Sequence, residues 1–364
     1  MKNFSPALQK KLDELKNRRQ SLFLGKVFVA SPFIQAPMSG IGSFPFRLLM
    51  EDLGAGATIS ELISCHGIHY TNKKTQDMLS IHPLEKNIGI QLFGEEAKVM
   101  ASAAVIAQEK GAKFVDINMG CPVRKVVGKG AGSALLKDPS ILPDFFTTIR
   151  KAITIPLTIK IRTGWDHDHL NSHEIVKIAV DCGIEFVSIH GRTRSQAYEG
   201  QANWDYIEDV AKNASLPIIG NGDLHTAFQV KNRFAKTHCK ALMIARGSIR
   251  NPFIFSEVYM QEGETPFTPA HYLEALERLL YYTELRYGER PSMVLTQIKK
   301  FSAWFAFGYF ASAKFREELF SFTDLPSAWS YIKDYFTGLE ENIDPLKRLK
   351  NIKDRASFMA GGHG

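Results

Sequence analysis

The chain has 364 residues, of which 45% are hydrophobic and 23% are charged, a mixture that excludes a disordered or fibrous protein. The formal net charge of +7 suits an anionic partner. The four cysteines lie far apart and form no C-x-x-C pair, which argues against a disulfide framework and against a zinc site.

The N-terminal segment is polar and rich in lysine, and it lacks the apolar core of a signal peptide. We predict an amphipathic helical extension, or a frayed tail, over residues 1–25. No apolar run approaches the length that spans a membrane. We therefore expect a cytoplasmic protein with reduced thiols and no membrane partner.

Residues 26–258 alternate short β-rich runs with amphipathic stretches of helical length, a pattern typical of parallel βα units. Eight such strands predict a (β/α)8 TIM barrel. The predicted strands are 33–38, 57–60, 88–93, 114–118, 156–161, 186–190, 217–220 and 241–245. Helices are expected between them, for example over 95–110 and 172–182, with Gly111 and Gly183 where helix C-caps belong.

An open, doubly wound sheet is the alternative fold, but its G-x-G-x-x-G fingerprint is absent after the first strand. The segment Met38-Ser-Gly-Ile-Gly-Ser lacks the third glycine. In a barrel, the active site lies at the C-terminal ends of the strands. The residues at those ends are Met38, Glu61, Gln91, Asn118, Lys160, His190, Asn221 and Arg246. Seven of these are polar after apolar runs, which predicts a shared pocket.

The alternation stops after a linker at 263–269, and helical patterns follow. We predict a smaller all-helical domain over 265–345 and a basic tail over 346–364. The stretch 298–310 combines paired lysines with dense aromatic residues, and Lys314 and Arg316 follow it. One interpretation is a helix that packs its aromatic side chains in a bundle and leaves its lysines in solvent.

Cys121 follows the fourth strand in Asp116-Ile-Asn-Met-Gly-Cys-Pro, on a loop at the barrel mouth. A lone cysteine is often a small buried hydrophobic residue. A free thiol, with a pKa of about 8.5, is mostly protonated at neutral pH yet releases its proton readily, which suits a general acid. The neighbouring Arg124 and Lys125 would lower this pKa and push the thiol toward the thiolate, and the sequence leaves the balance between the two forms open.

Lys160 ends the fifth strand, where it is either a solvated cap or a cation that faces the pocket. An inward lysine would stabilise an anion formed during reaction, such as the N1 region of a reduced flavin. Asn221-Gly-Asp and Ala245-Arg-Gly-Ser follow the seventh and eighth strands, where barrels commonly bind phosphate. Together these features predict a phosphorylated cofactor.

Other catalytic classes lack their signatures in this sequence. His167 and His169 are two residues apart on a predicted loop with no third ligand at typical spacing, so we predict no metal site. The absence of a G-x-S-x-G elbow and of a Walker motif argues against hydrolases and nucleotide triphosphatases.

Eight motifs of the barrel resemble, in order, those of the tRNA-dihydrouridine synthases. They are Ala36-Pro-Met, Gln91-Leu-Phe, Asp116-Ile-Asn-Met-Gly-Cys-Pro, Gly130-Ala-Gly-Ser-Ala-Leu-Leu, Lys160-Ile-Arg-Thr-Gly-Trp, Ile189-His-Gly-Arg-Thr-Arg, Gly220-Asn-Gly-Asp and Leu242-Met-Ile-Ala-Arg-Gly. In the helical part, Lys299-Lys-Phe-x-x-Trp resembles the bacterial branch designated B.

The resemblance implies an FMN-binding barrel followed by a helical tRNA-binding domain, with NADPH as the reductant of the flavin. Hydride would pass to C6 of the uracil ring, and Cys121 would give a proton to C5, with Lys160 also in the catalytic site. The implied cofactor-binding residues are Pro37, Met38, Ser39, Gln91, Lys160, His190, Asn221, Gly222, Asp223, Ala245 and Arg246. The implied substrate-binding residues are Asn118, Arg192, Arg194, Lys299, Lys300 and Arg316.

Two residues depart from the family pattern. Ser39 stands where alanine is commoner, and Ala245 replaces the glycine that usually precedes the arginine of the phosphate loop. At position 245 the added methyl group could crowd the phosphate, but the backbone amide that would donate to it is retained. FMN binding is therefore still expected.

Two rival functions fit part of the sequence. An FMN barrel acting on a free pyrimidine, as dihydroorotate dehydrogenases do, explains the barrel but leaves the helical domain and the basic tail without a task. The second rival is an RNA-binding protein that keeps a flavin only for structure. A uridine in folded tRNA must be unstacked to reach a barrel mouth, which favours RNA contact by the helical domain. We expect a monomer.

Overall fold

The computed structural model describes residues 3–70 and 72–339, so the predicted basic tail over 346–364 lies outside the described residues. The strands are β1 (Leu22–Leu24), β2 (Val27–Val29), β3 (Phe33–Gln35), β4 (Thr58–Ile59), β5 (Ile63–Ser64), β6 (Ile88–Phe93), β7 (Phe114–Met119), β8 (Leu157–Arg162), β9 (Val187–His190), β10 (Ile218–Asn221) and β11 (Ala241–Ile244).

Eight parallel strands close into a barrel. The order around the ring is β3, β4, β6, β7, β8, β9, β10 and β11, and β11 pairs with β3. The short strand β5 continues the path of β4 and pairs with β6. The predicted TIM barrel and its eight strands are confirmed, with ends that differ from the prediction by up to three residues.

The strands are apolar on both faces because each side of the barrel wall is covered. In β7, Val115 and Ile117 point outward and join the core beneath the surrounding helices. The alternate residue Phe114 points inward, where it contacts Phe186 edge to face at 5.8 Å. Alternation then carries Asp116 and Asn118 to the same inner face.

An antiparallel hairpin made of β1 and β2 closes the N-terminal end of the barrel, and the sequence patterns did not predict it. Gly25 forms its turn with a φ of +59°, a conformation that favours glycine. Leu24, Val27 and Val29 pack in one cluster with the inward residues of the lower barrel. The hairpin fills that end, so the open end is the one where the strands finish.

The helices of the barrel are α1 (Pro6–Asn17), α2 (Phe44–Asp52), α3 (Cys65–His69), α4 (Lys73–Met78), α5 (Ala97–Glu109), α6 (Arg124–Val127), α7 (Leu142–Ala152), α8 (Ser172–Asp181), α9 (Trp204–Asn213), α10 (Ala227–Phe234), α11 (Arg246–Arg250) and α12 (Ile254–Glu257). Two 3₁₀ turns cover Gly132–Leu136 and Pro139–Ile141. The predicted helices over 95–110 and 172–182 are α5 and α8. Gly111 and Gly183 follow them with φ of +97° and +71°, which ends each helix.

Four further helices follow the barrel, namely α13 (Pro269–Tyr287), α14 (Pro291–Phe305), α15 (Ser312–Ser321) and α16 (Leu325–Thr337), and we call them the helical layer. The layer packs on α2, where Phe46 stacks on Phe301 at 5.1 Å. Asp52 at the end of α2 accepts hydrogen bonds from Arg278 (2.9 Å) and Tyr282 (2.6 Å) of α13. None of the helices in the described residues is both long and apolar enough to cross a membrane.

Helix α1 is tied to the same layer. Ser5 caps its first turn by accepting a hydrogen bond from the Leu8 amide. The backbone and the hydroxyl of Ser5 also donate to Glu274 of α13, at 2.7 and 2.9 Å. The segment predicted as an extension or a frayed tail is therefore an ordered helix.

Candidate functional site

A cavity of about 410 Å³ opens at the C-terminal end of the barrel. Its wall includes two side chains of α14 and the strand-end residues that the sequence patterns indicated, with the exception of Glu61, which does not line the cavity. The predicted site residues that line it are Pro37, Met38, Ser39, Gln91, Asn118, Cys121, Lys160, His190, Asn221, Gly222, Asp223, Ala245, Arg246 and Lys300. The barrel thus brings together residues that lie far apart along the chain.

Beneath the cavity, a row of buried polar side chains crosses β6 and β7. The carboxylate of Asp116 accepts hydrogen bonds from Gln91 and from Thr158, both at 2.7 Å. Burial raises the pKa of Asp116 to about 6, although these hydrogen bonds and the charge of Lys160 oppose the rise. Asp116 is therefore mostly ionised at neutral pH.

The side chain of Asn118 joins this row to the loop that carries Cys121. Its Nδ2 donates to Gln91 Oε1 at 2.8 Å, and its Oδ1 accepts from the amides of Gly120 (3.2 Å) and Cys121 (2.9 Å). The hydroxyl of Ser133 donates to the carbonyl of Cys121 at 2.8 Å. The loop is held from both sides, which fixes where the thiol stands.

The thiol of Cys121 is half-buried in the cavity wall. Burial raises its pKa, against smaller opposing effects from the Val123 amide and from the charge of Arg162. The thiol is therefore protonated at neutral pH, as a proton donor requires. The sequence left open how strongly Arg124 and Lys125 act on the thiol. Both are exposed residues of α6, and Arg162 is the cation that acts on it.

Arg162 is a cavity residue that the sequence motifs did not single out. Its Nε donates to the carbonyl of Gly120 at 2.7 Å, and its Nη1 donates to Thr193 (2.9 Å) and Ala197 (2.7 Å). Burial lowers its pKa to about 10, which leaves the guanidinium charged at neutral pH. The signal that could have found it is strand alternation, since it lies two residues after Lys160 on the same face of β8.

Lys160 lies near the end of β8, and His190 ends β9, where it pairs in register with Arg162. Burial and the charge of Arg162 lower the pKa of Lys160 to about 8, against the opposing charge of Asp116. Its Nζ donates to Asn221 Oδ1 at 3.2 Å. Burial and four surrounding cations hold the pKa of His190 well below its usual range, so this imidazole is neutral at pH 7.

The turn after β10 forms a cradle of backbone amides. Gly222 has a φ of +134°, and a Cβ there would lie 2.5 Å from the Cβ of Ala202. Asp223, with a φ of +52°, accepts from Arg192 at 2.8 and 3.0 Å and from Arg246 at 3.3 Å. Within the described residues, the amides of Gly222 and Asp223 have no hydrogen-bond partner.

These unpaired amides, with Arg246 beside them, fit a phosphate group. Ala245, where the family pattern has glycine, has a φ of −106°, which lies outside the left-handed region that favours glycine. Its side chain is therefore tolerated at this turn. The donor set of the cradle is compatible with the predicted phosphorylated cofactor.

The remaining predicted residues do not line the cavity. Arg192 is buried and paired with Asp223. The guanidinium of Arg194 lies over the ring of Trp165 at 4.4 Å, and Arg316 lies on α15. The amino group of Lys299 donates to the carbonyls of Phe320 (3.0 Å) and Phe322 (2.6 Å), so it holds the C-terminal end of α15.

Two histidine and carboxylate groupings lie away from the cavity wall. His169, one of the two histidines considered above as metal ligands, is paired with Asp166 at 2.6 Å. On the barrel rim, His66 is paired with Glu95 at 3.1 Å and lies 3.9 Å from Glu96. These three side chains offer ligand atoms within 4.8 Å of one another, a grouping that the sequence did not indicate.

Comparison with known proteins gives a family match over most of the chain. The matching family model is described as "Dihydrouridine synthase (Dus)" and covers residues 34–337. The tRNA-dihydrouridine synthase B of Pasteurella multocida (strain Pm70) is 35% identical over 334 residues, which cover 91% of this chain and 98% of that protein. The tRNA-dihydrouridine synthase B of Escherichia coli (strain K12) is 36% identical over 318 residues, with 86% and 98% covered.

Solved structures share the barrel. A 2-naphthoyl-CoA reductase in complex with 2-naphthoyl-CoA superposes with a TM-score of 0.52 and 14% identity, over 67% of this chain and 52% of that one. A histamine dehydrogenase from Rhizobium sp. 4-9 gives a TM-score of 0.51 and 13% identity, over 74% and 51%. At these identities the likeness concerns the fold alone, and this chain spans about half the length of each.

Proposed function

This chain belongs to the dihydrouridine synthase family of enzymes, and on that premise we propose that it reduces uridines in tRNA to 5,6-dihydrouridine with FMN as its cofactor. The observation that carries the chemical part of the proposal is the half-buried thiol of Cys121, whose pKa burial raises, in a cavity that also holds the cradle of unpaired backbone amides. The relatives named tRNA-dihydrouridine synthase B support tRNA as the substrate.

The proposed cofactor site is the wall of the cavity. Pro37, Met38 and Ser39 would line the flavin ring, and Gln91 and Lys160 would contact its polar edge. The ribityl chain and the phosphate would be held by His190, Asn221, Gly222, Asp223, Ala245 and Arg246. When bound and reduced by NADPH, FMN would supply the hydride that C6 of the uracil ring receives.

Cys121 is the proposed proton donor to C5. Reduction of the C5–C6 double bond adds one hydride and one proton, so the thiol becomes a thiolate and later regains a proton from solvent. Burial keeps the thiol protonated before the step, and the nearby charge of Arg162 stabilises the thiolate after it. Lys160 contributes a positive charge for the anion that develops on the ring between the two transfers.

The substrate is proposed to enter from the side of the helical layer. Lys300 and Trp304 of α14 line the cavity opposite the barrel strands, so RNA bound to this layer lies close to the site. A flipped-out uridine would meet Asn118, and Arg194 and Arg316 remain candidates for contacts with the rest of the tRNA. The buried positions of Arg192 and Lys299 suit indirect support of the site.

The decisive experiment compares the native enzyme with Cys121→Ala. The variant is expected to bind FMN and tRNA, to be reduced by NADPH, and to form dihydrouridine at least about a hundredfold more slowly, since general acid catalysis contributes roughly 10²–10⁴-fold. Unchanged dihydrouridine formation would remove Cys121 from the mechanism. A colourless protein that cannot be reconstituted with FMN would remove the cofactor.

Two controls address the rival functions. If the protein acts on tRNA, free uridine and uridine monophosphate should be poor substrates. An enzyme for a free pyrimidine would instead reduce them as well as it reduces tRNA. An RNA-binding protein with a structural flavin would form no dihydrouridine, either from free uridine or from tRNA. The native protein is expected to act as a monomer in the cytoplasm, which gel filtration of the purified protein and cell fractionation would test.

A further inference from the structure

A continuous chain of hydrogen bonds connects the interior of the barrel with the backbone of Cys121. It runs from Asp116 to Gln91 (2.7 Å), from Gln91 to Asn118 (2.8 Å), and from Asn118 to the Cys121 amide (2.9 Å). The three side chains are 0%, 1% and 8% exposed in that order. Water therefore has little access to replace any of these bonds.

The two ends of this chain have fixed polarity. An ionised carboxylate such as that of Asp116 can only accept hydrogen bonds, and the backbone N–H of Cys121 can only donate. The amides of Gln91 and Asn118 lie between these ends, and each has a donor and an acceptor. Only one orientation of each amide satisfies every contact, and in that orientation Asp116 supplies the acceptor for the last donor, Nε2 of Gln91.

We propose that Asp116 is a positioning residue that orients Asn118, and through it the loop that carries the Cys121 thiol. The inference rests on the proposed function of Cys121 as the proton donor. It adds a role for a side chain that does not line the cavity. Asp116 acts through Gln91 and Asn118 and contacts neither the thiol nor the substrate.

The carboxylate must be anchored for this role, and the structure anchors it. Thr158 of the neighbouring strand donates to its second oxygen at 2.7 Å, and β7 and β8 pair Asp116 with Thr158 in register. Without an acceptor at position 116, the donor Nε2 of Gln91 would be buried and unpaired. Turning the Gln91 amide would pass the conflict to Asn118, and turning Asn118 would pass it to the Cys121 amide. An asparagine at position 116 avoids this conflict, because its oxygen accepts from Gln91 and its NH2 group can donate to the Thr158 hydroxyl.

The test compares Asp116→Leu, which removes the acceptor, with the conservative Asp116→Asn, which keeps one. Asp116→Leu is expected to slow dihydrouridine formation by at least about tenfold in single turnovers with pre-reduced flavin, since small misplacements of a reacting group cost up to about a hundredfold. FMN and tRNA affinities should stay within about twofold of the native values. Asp116→Asn should keep a single-turnover rate near the native value, because the oxygen of the introduced amide still accepts from Gln91.

A second measurement does not depend on flavin or tRNA. In a Cys182→Ser background, the rate of Cys121 alkylation by iodoacetamide is followed against pH. Release of the loop exposes the thiol, so Asp116→Leu should move the midpoint to lower pH. Asp116→Asn is the matched control, because it removes the same charge but keeps the acceptor, and it should leave both the rate and the midpoint near the native values.

Either of two results would overturn the proposal. One is a single-turnover rate and an alkylation profile of Asp116→Leu equal to those of the native protein. The other is an Asp116→Asn variant that is as slow and as displaced in its alkylation profile as Asp116→Leu. If Cys121→Ala loses activity while Asp116→Leu keeps it, only the positioning role fails. If Cys121→Ala keeps activity, the proposed role of Cys121 as the proton donor fails, and uridine reduction stands without it.

Discussion

Burial shifts the pKa of each ionisable residue of the cavity in the direction that favours its neutral form. The shifted pKa values lie on different sides of pH 7, so the residues differ in charge at neutral pH. The pKa of the Cys121 thiol is raised and that of His190 is lowered, so both are neutral. The pKa of Lys160 falls to about 8, so this side chain keeps most of its charge. One cavity therefore holds a neutral thiol and a cation, which is compatible with the proposed addition of a hydride and a proton.

The shifted pKa of Lys160 predicts how stability depends on pH. Between pH 8 and the ordinary lysine value of 10.5, the unfolded chain binds more protons than the folded protein does, so stability rises with pH across this window. Below pH 8 the folded protein bears the full cost of the buried charge. Lys160→Met is therefore expected to melt higher than the native protein at pH 7, and the difference should shrink toward pH 10.

Thermal unfolding of both proteins at pH 7 and at pH 10 checks this prediction. Lys314→Met is a suitable control, because Lys314 is an exposed residue of α15 whose amino group lies near Glu318. A Lys160→Met variant that melts below the native protein at pH 7 would show that the contact of Lys160 with Asn221 outweighs the cost of burial.

Gly222 provides a test of the amide cradle. Alanine at this position needs a φ of +134° and places its Cβ 2.5 Å from Ala202, so the turn must move. We expect Gly222→Ala to weaken FMN binding by about tenfold or more and to cost roughly 1–3 kcal/mol of stability. Fluorescence titration with FMN measures the first effect, and denaturant unfolding measures the second.

The control for that substitution is Gly263→Ala. Gly263 also has a positive φ, +84°, but no atom lies within 4 Å of its added Cβ, and it stands in the linker before the helical layer. Gly263→Ala should cost some stability and leave FMN affinity unchanged. Equal losses of FMN affinity in the two variants would argue against a phosphate-binding role of the cradle.

At the level of secondary-structure elements, one turn of the barrel is clamped by the helical layer. The turn after β3 lines the cavity, and its Gly40 donates from its amide to Glu61 at 2.5 Å. The carbonyl of the same residue accepts from Lys300 of α14 at 2.6 Å. Arg47 of α2 holds the end of the turn through the carbonyl of Gly42 at 2.6 Å. The position of α14 therefore affects the part of the site that is proposed to line the flavin.

This clamp predicts that Lys300→Met weakens cofactor binding, although Lys300 belongs to the helical layer. Loss of a charge-assisted hydrogen bond of this kind costs roughly 1.5–3 kcal/mol, so we expect about a tenfold lower FMN affinity. Flavin release from the purified protein measures it. Lys314→Met removes a charge from the same layer and should release flavin at the native rate, and an equal effect of the two would argue against the clamp.

Across the whole molecule, the barrel, α1 and the helical layer share one hydrophobic core. The cluster runs from Leu8 and Leu12 of α1 through Phe46 to Phe301 and Phe315 of the layer. A continuous core of this kind favours a single cooperative unfolding transition for the described residues. The barrel and the layer are then held in one arrangement, with α14 beside the cavity.

The net charge of +7 is also a property of the molecule as a whole. If tRNA is held largely through its phosphates, its affinity should fall roughly tenfold or more when salt rises from about 50 to about 200 mM, because neutralised phosphates release their counterions. A binding titration at several salt concentrations with the Cys121→Ala variant separates binding from turnover. A flat response to salt would argue against a phosphate-binding role of the helical layer.

Local sequence patterns were sufficient to predict the barrel and the position of its cavity. Strand periodicity and turn residues are local properties, so eight βα units could be counted without any knowledge of contacts. The polar strand ends could be assigned to one pocket because a parallel barrel brings all C-terminal strand ends to the same face. The hairpin under the barrel could not be predicted in this way, because three-residue strands are too short to show a period.

Contacts between distant parts of the chain decided which charged residues act on the site. Arg124 and Lys125 are close to Cys121 in sequence but exposed, whereas Arg162 reaches its loop from another strand. Lys299 and Lys300 are neighbours on α14, yet one is buried against α15 and the other faces the cavity. Successive residues of a helix point about 100° apart, so the packing of α14 between α15 and the barrel determines which lysine reaches the site.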